Sequence, residues 1–414
     1  MKTRRAIQVN ILVVVVLLGC LAGSPTKAEN NWPQWLGPQG NGHSKELDLP
    51  VHWTKSDIAW KVKLEGRGQS SPVIWEDRIF LTTATDGGRK RFVMCLDRKN
   101  GDLLWKELVW TGEPEPIHAM NSYASATCVT DGERVVAFFG RGGIHCFSLD
   151  GKKQWSRVLG QFEGPWGTAA SPIIVDNLVI QNCDAEDDAY LLGLDKKTGK
   201  TLWKTPREKL RGWCTPIVVN TGQRRELVLN GEMGVNAYDP ATGKDLWFCR
   251  GDRGRGTPTI VPYKETLIMV SGRPGDMLAV RPGGNGAVAK SHQVWRTPRL
   301  GGRDLPSPIV IGNFLVVVKM NPGLASCYDA ATGKELDKIR LEGVFAASPI
   351  AANGLIYIPN QDGVVYVLKA GRKLEVISKN IVHEGDEEIF RASLTPNRSQ
   401  FLFRSDRALY CIGK

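Results

Sequence analysis

Residues 195–203 read DKKTGKTLW and residues 239–247 read DPATGKDLW. Residues 97–105 repeat the pattern as DRKNGDLLW, and residues 329–336 repeat it as DAATGKEL, with Asp337 in place of the tryptophan. Aspartate and asparagine side chains hydrogen-bond their own backbone, and glycine tolerates the left-handed conformation that a tight hairpin turn needs. The repeated phrase therefore predicts a hairpin turn followed by a strand that, in most copies, carries a tryptophan.

A second phrase opens each unit with a small residue, a proline and then a run of β-branched residues. Its copies are Ser71-Pro72, Ser171-Pro172, Thr215-Pro216, Thr257-Pro258, Ser307-Pro308, Ser348-Pro349 and Thr395-Pro396. An eighth copy, at 126–129, lacks the proline, and we place Thr127 in the position of that proline. The units then follow one another at 41 to 55 residues. Repeats of this length, each with apolar segments for four strands, predict the blades of a β-propeller.

The two ends of the chain predict how the ring closes. The last unit, residues 393–413, has apolar segments for three strands, and residues 58–64 precede the first unit without a blade of their own. We therefore expect an all-β, eight-bladed β-propeller of four-stranded antiparallel blades over residues 57–414, with the N-terminal strand closing the last blade. The tryptophans expected to dock blade against blade are Trp60, Trp105, Trp155, Trp203, Trp247 and Trp295.

Residues 1–28 have the pattern of a signal peptide, and residues 29–56 form an N-terminal arm ahead of the propeller. Lys2, Arg4 and Arg5 precede an apolar stretch, 11–22, that is too short to span a membrane comfortably. Cleavage after Ala28 is one outcome. Lipidation of Cys20, within Leu17-Leu18-Gly19-Cys20, is the other. Both predict an exported protein of the periplasm or cell envelope, with or without a lipid anchor.

Charge and cysteine content narrow the classes of partner. The whole chain carries a formal charge of +11, and removal of the four basic residues of the leader leaves +7. This mild excess suits anionic partners but gives no specific nucleic-acid signal.

Four of the cysteines recur at similar places in successive units, too far apart to bridge, and we expect them to be small core residues. They are Cys95, Cys146, Cys327 and Cys411.

The motif at 195–203 and 239–247 resembles the tryptophan-docking motif of quinoprotein dehydrogenases, and the resemblance covers nearly all of residues 57–414. In that family the motif is structural. Many of the enzymes hold pyrroloquinoline quinone (PQQ) under a disulfide between adjacent cysteines, beside calcium and a catalytic aspartate. This chain has no adjacent cysteines. The resemblance therefore favours a non-enzymatic branch, similar to the propeller lipoprotein of outer-membrane-protein assembly and to secreted bacterial PQQ-like repeat proteins.

Arginine recurs five residues before the opening proline. Arg67, Arg211, Arg253, Arg303 and Arg391 stand there, whereas eight such positions should hold fewer than one arginine by chance. Equivalent loops of a propeller meet at one end of its channel. We therefore hypothesise that these guanidinium groups bind an anionic group at the channel mouth, because arginine pairs bidentately with carboxylate or phosphate. The alternative is that each arginine braces its own loop.

Other binding candidates lie in neighbouring loops. Trp166 and Trp213 can supply apolar walls, and the long link between the first two units contains His118, Asn121 and Tyr123. Such a link is either functional or a polar plug over the channel.

We expect a monomeric binding or scaffold protein for a protein or an anionic small molecule, with no catalytic residue, metal or cofactor. The alternatives are a dehydrogenase that uses PQQ with calcium, and a hydrolase or lyase that acts at the same mouth. The acid–base candidates for the second alternative are Asp304, Glu65 and His118.

Overall fold

The computed structural model describes residues 31–272, 276–298, 305–382 and 387–413. The predicted signal peptide, Cys20 and Arg303 lie outside the described residues. Helical structure appears as short 3₁₀ segments at Lys55–Asp57, Asp86–Gly88 and Gly140–Gly142. In the described part of the chain, no helix has both the length and the apolar character required to span a bilayer.

The strands follow one another in short antiparallel meanders. In chain order they are β1 (Ile58–Lys63), β2 (Val73–Trp75), β3 (Arg78–Thr85), β4 (Lys90–Asp97), β5 (Leu103–Thr111), β6 (Val129–Thr130), β7 (Arg134–Phe138), β8 (Ile144–Ser148), β9 (Lys153–Arg157), β10 (Ile173–Val175), β11 (Leu178–Cys183), β12 (Tyr190–Asp195), β13 (Thr201–Pro206), β14 (Ile217–Asn220), β15 (Arg225–Gly231), β16 (Gly234–Tyr238), β17 (Asp245–Arg250), β18 (Val261–Tyr263), β19 (Thr266–Val270), β20 (Met277–Val280), β21 (Gly286–Ala287), β22 (Gln293–Thr297), β23 (Ile309–Ile311), β24 (Phe314–Val318), β25 (Leu324–Asp329), β26 (Glu335–Arg340), β27 (Ile350–Ala352), β28 (Leu355–Pro359), β29 (Val364–Lys369), β30 (Glu375–Ile381), β31 (Thr395–Asn397), β32 (Gln400–Arg404) and β33 (Ala408–Ile412).

The described residues form eight sheets, which we number blades 1 to 8 from the sheet β2–β5 onward. This confirms the predicted eight-bladed propeller. Seven sheets have four strands. Blade 4 has a fifth, because β21 adds in parallel to β17, its outer strand. Among the first strands, β2 contacts β6, β6 contacts β10, β18 contacts β23 and β23 contacts β27, which places the first strands around the central channel.

The last blade joins the two ends of the propeller, as predicted. Strand β1 pairs antiparallel with β33, with Ile58 opposite Ile412 and Lys63 opposite Ala408. The amide of Gly413 donates to the carbonyl of Asp57 at 2.8 Å. Blade 8 therefore takes its inner three strands from the C-terminus and its outer strand from the N-terminal side.

A ring of hydroxyl groups links the blades around the channel. Each blade has a serine or threonine two residues before its first strand, and we call these residues the hydroxyl ring: Ser71, Thr127, Ser171, Thr215, Thr259, Ser307, Ser348 and Ser393. In seven of the eight steps the backbone amide donates to the hydroxyl oxygen of the next blade at 2.9–3.0 Å. In the remaining step the Thr259 hydroxyl donates to the Thr215 carbonyl at 2.8 Å. The ring of hydrogen bonds is closed.

Tryptophans on the outer strands contact the following blade. Trp60, Trp105, Trp155, Trp203 and Trp295 lie against Gly101, Gly151, Gly199, Gly243 and Gly333, respectively, where a Cβ atom would fall within 3.0 Å of the indole. The indole nitrogens of Trp105, Trp155 and Trp295 also donate to backbone carbonyls of that blade at 2.8–3.1 Å. Trp247 differs, because it donates to the Glu226 carboxylate within its own blade at 2.8 Å. Strand β21, the fifth strand of blade 4, pairs with β17, which carries Trp247.

The cysteines of the described chain are buried and unpaired. Cys95, Cys146, Cys327 and Cys411 lie at matching places in the third strands of blades 1, 2, 6 and 8. The prediction that these four are core residues is confirmed.

Candidate functional site

The blades share a common register that differs from the proline alignment in three units. Every first strand begins two residues after a hydroxyl-ring residue. Thr127 therefore matches the small residue of the opening phrase and not its proline. In unit five the matching residue is Thr259, two residues after Thr257, and in unit eight it is Ser393, two residues before Thr395. The hydroxyl group makes the contact between blades, so the hydroxyl, and not the proline, defines the repeat.

This register changes the arginine series. The position four residues before the hydroxyl ring holds Arg67, Tyr123, Gly167, Arg211, Arg255, Arg303, Val344 and Ile389. Arg253 is thus replaced in the series by Arg255, and Arg391 belongs to a different set of positions. Arg253 instead pairs with Glu232 at 2.7 Å, with 72% of its side chain exposed.

A cavity of about 220 Å³ occupies one end of the central channel, and we call it the channel mouth. The residues two positions before the hydroxyl ring all line it, and we call them the variable ring: Gln69, Ser125, Ala169, Trp213, Thr257, Leu305, Ala346 and Arg391. Several hydroxyl-ring residues lie beneath them in the same cavity. Trp35 of the arm lines it from the opposite side. The cavity is smaller than a typical drug-sized pocket and suits one side chain or a small anion.

Trp166 is the centre of an aromatic and cationic cluster at the channel mouth. The His118 ring stacks on it, with 5.2 Å between ring centroids and 21° between planes. The guanidinium carbons of Arg211 and Arg255 each lie 4.9 Å from the centroid of the same indole. The indole nitrogen of Trp213 donates to the Gly167 carbonyl at 2.8 Å. His118, Trp166, Trp213 and Arg255 all line the cavity.

Arg391 reaches across the mouth from blade 8. Its Nη1 donates to the carbonyl of Met120 at 2.9 Å and to that of Ala119 at 3.3 Å. Its Nε is buried and makes no hydrogen bond within the described chain. Burial lowers the pKa of Arg391, and the charge of Asp406 opposes this effect. A partly desolvated guanidinium with a spare donor is suited to an anion that enters the cavity.

Arg67, Arg211 and Arg253, the other predicted arginines that the structure describes, are not among the residues that line the cavity. Arg211 pairs with Glu186 at 2.7 Å. Arg67 lies 3.8 Å from Asp406, with two thirds of its side chain exposed. Arg67, Arg211 and Arg253 thus each lie beside an acidic residue of another loop.

The link between blades 1 and 2 is held at several points. Glu115 forms a buried ion pair with Arg91, whose guanidinium carbon lies 4.3 Å from the Trp110 ring centroid and 5.0 Å from that of Tyr123. The Tyr123 hydroxyl donates to the Glu115 carbonyl at 3.0 Å, so Tyr123 anchors the link and does not line the cavity. Asn121 does line it, and its side-chain amide donates to the Trp166 carbonyl at 2.8 Å.

The arrangement of blades agrees with comparisons to known proteins. A family model described as outer membrane protein assembly factor BamB matches residues 52–181, 160–278 and 286–374. The chain belongs to this family of PQQ-like repeat propellers. A BamB of Burkholderia pseudomallei (strain K96243) is 22% identical over 374 residues, which are 77% of this chain and 88% of that protein.

Solved structures share the fold at low identity. The crystal structure of BamB from Moraxella catarrhalis matches with a TM-score of 0.61 and 16% identity, over 86% of this chain and 96% of that one. A europium-containing methanol dehydrogenase matches with a TM-score of 0.71 and 11% identity, over 93% of this chain and 98% of that one. At these identities the matches show the propeller fold alone.

The acid–base candidates of this BamB-family chain do not converge. His118 lines the cavity, and its Nδ1 accepts from the Met120 amide at 3.2 Å. Glu65 pairs with Lys106 at 2.6 Å and is 74% exposed. Asp304 lies outside the described residues. No carboxylate appears among the described residues that line the channel mouth.

Proposed function

We propose that this protein is an exported binding or scaffold propeller of the cell envelope, whose channel mouth captures an anionic group of a partner. The observation that carries the proposal is the channel mouth itself. Two guanidinium groups, from Arg255 and Arg391, line it together with Trp166 and Trp213. The export pattern of residues 1–28 supports a place in the envelope. So does the similarity to the Burkholderia pseudomallei BamB, which is named an outer membrane protein assembly factor.

The cavity favours a small anionic group on an apolar stem. Its volume admits one carboxylate-bearing side chain, a chain terminus or a small organic acid. The indoles contribute apolar contact area, and the guanidinium groups contribute charge-assisted hydrogen bonds. Because the described lining contains no carboxylate, an incoming anion meets attraction without a competing acid.

The test uses the full mature protein as bait. Immobilised wild type and the Arg255→Ala/Arg391→Ala variant are exposed to envelope extract, and retained proteins and small molecules are identified by mass spectrometry. We expect the double variant to bind the retained partner at least about tenfold more weakly, because each charge-assisted hydrogen bond contributes about 1.5–3 kcal/mol.

Arg253→Ala is the matched control. Arg253 lies two residues from Arg255, carries the same charge and points to Glu232, so its loss should leave binding unchanged. Melting temperatures of all variants separate binding from bracing, because Arg391 also holds the link at Met120. Equal retention by wild type and the double variant, with both folded, contradicts the proposal.

A further inference from the structure

The arm pairs with the inner edges of several blades on the side of the ring opposite the channel mouth. The amide of Trp32 donates to the carbonyl of Ile74 at 3.0 Å, and the amide of Ile74 donates back at 2.9 Å. Thr130 of blade 2 donates to the Pro33 carbonyl at 2.8 Å. Two consecutive arm residues therefore bind two neighbouring blades through their backbones.

The arm returns across blades 6 and 7. Ala351 donates to the Gly42 carbonyl at 2.9 Å and accepts from the Ser44 amide at 2.8 Å. His43 hydrogen-bonds the backbone of Val310 in blade 6. The arm thus covers the inner edges of blades 1, 2, 6 and 7.

These contacts use one register position. Ile74, Thr130, Val310 and Ala351 each stand three residues after their hydroxyl-ring residue. The amide and carbonyl of one residue in an antiparallel strand point to the same side. The arm pairs with this position, and we infer that the amide and carbonyl at the same position face the channel in every blade. In the other blades the position holds Ile174, Val218, Pro262 and Pro396.

Blades 3 and 4 keep this position uncovered. Ile174 and Val218 are partly exposed, and so is Val310, which the arm reaches through His43. Ile74 and Ala351, which pair with the arm backbone, are 0% and 2% exposed. No hydrogen bond joins the arm to either residue in the described chain. Both line a second cavity, of about 870 Å³, between the arm and the inner strands of blades 3 to 5. We call it the arm-side cavity.

The chemistry of this cavity indicates its occupant. The two uncovered positions offer amide donors and carbonyl acceptors in the arrangement that the arm uses on blades 1 and 2. Basic side chains outnumber acidic ones among the charged residues of the lining, which are Arg225, Lys264, Arg281, Asp176 and Glu265. Arg225 pairs with Asp176 at 2.7 Å. Lys264, Arg281 and Glu265 are all exposed, which leaves an excess of one positive charge. An extended segment with acidic flanks fits this edge.

We propose that the arm-side cavity binds an extended, acidic segment of a second polypeptide. The segment adds its backbone to the inner edges of β10 and β14, as Trp32 and Pro33 add to blades 1 and 2. This site is at the end of the channel opposite the mouth and does not depend on the anion site proposed there.

The chain provides a precise way to remove the donors. Proline already occupies this register position in blades 5 and 8, as Pro262 and Pro396, so the strand tolerates it. The variant Ile174→Pro/Val218→Pro removes two backbone amides from the cavity and keeps the fold. The control Ile174→Ala/Val218→Ala trims the side chains but keeps both amides.

The probe is a phage-displayed library of random dodecapeptides selected on the full mature protein. We expect enriched peptides with acidic residues that bind the proline variant roughly tenfold more weakly, because two backbone hydrogen bonds are lost. The alanine variant and the Arg255→Ala/Arg391→Ala variant should bind them within about threefold of wild type.

Three results overturn the proposal. The first is a selection that enriches no peptide, and the second is a set of peptides that bind the proline variant as well as wild type while its melting temperature is retained. The third is self-association of wild type that the proline substitutions abolish in sedimentation experiments, because it identifies a second copy of this chain as the occupant.

Discussion

The hydroxyl ring and the variable ring lie two residues apart in every blade, yet their compositions are opposite. The first holds serine or threonine in all eight blades, because each hydroxyl joins neighbouring blades by a hydrogen bond. The second holds seven residue types, because its side chains face the cavity and not a neighbouring blade. Uniformity around a repeat ring marks the framework, and variety marks the surface that selects what binds.

The largest effect is expected at the buried pair of Glu115 with Arg91, which holds the link between blades 1 and 2. This link supplies Ser125 to the variable ring. Glu115→Ala leaves Arg91 buried, with 0% exposure and no carboxylate partner. Breaking a buried pair in this way costs about 3–5 kcal/mol. We expect that loss in the free energy of unfolding, measured by urea denaturation.

The control for this anchor is Glu113→Ala, two residues away. Glu113 pairs with Arg89 at 3.2 Å, and both side chains are more than half exposed. Exposed pairs contribute about 0–1 kcal/mol, so this variant should unfold nearly as wild type does. Equal losses of unfolding free energy in the two variants would mean that the buried pair of Glu115 with Arg91 does not hold the link.

The next largest effect on stability comes from a buried histidine of blade 2, and this effect depends on pH. His145 of blade 2 is buried, and its ring nitrogens contact Gly142 O at 2.8 Å and Ser156 Oγ at 2.6 Å. Burial lowers the pKa of His145 from 6.5 to about 4. Between these values the unfolded chain binds a proton that the folded protein does not. The free energy of unfolding should therefore fall as pH drops from 6.5 towards 4, by at most about 3 kcal/mol.

Urea unfolding at pH 7, 5.5 and 4.5 measures this contribution. The His145→Gln variant lacks the titrating group, so it should lose less stability over the same range than wild type does. Parallel pH profiles for the two proteins would show that His145 does not contribute.

The smallest effect on stability is expected when one residue of each ring is substituted in blade 3. Ser171→Ala removes the acceptor of the buried Thr127 amide and should lower the free energy of unfolding by about 1–2 kcal/mol. Ala169→Ser, two residues earlier in the variable ring, should change it by less than about 0.5 kcal/mol. A loss in the second variant as large as in the first would remove the distinction between the rings.

The sequence was sufficient to predict the fold because the decisive signals are local. The Asp–Gly turns at 195–203 and 239–247 mark the hairpins, and the unpartnered segment 58–64 identifies the closing strand. The addition of β21 to blade 4 was not foreseen, because Gly286 and Ala287 carry no strand signal of their own.

The candidate site was predicted less completely. The opening proline is not what the blades repeat, so alignment on Pro258 pointed to Arg253 and missed Arg255. Alignment on Thr259 would have identified Arg255, which was therefore detectable. The place of Trp35 in the channel was not detectable, because it depends on the path of the arm, which follows no repeat. Trp166 and His118 were named separately, and their stacking arises from the fold of two loops.

Closure of blade 8 by β1 has a consequence for the time course of folding. Ile58 and Ile412 are about 350 residues apart in sequence. Loop-closure entropy makes such a pairing a late event. If the chain crosses a membrane N-terminus first, its opening strand emerges early and stays unpaired until the final hairpin arrives. During that interval the nascent ring exposes two sheet edges, and truncation near residue 408 would make that exposure permanent.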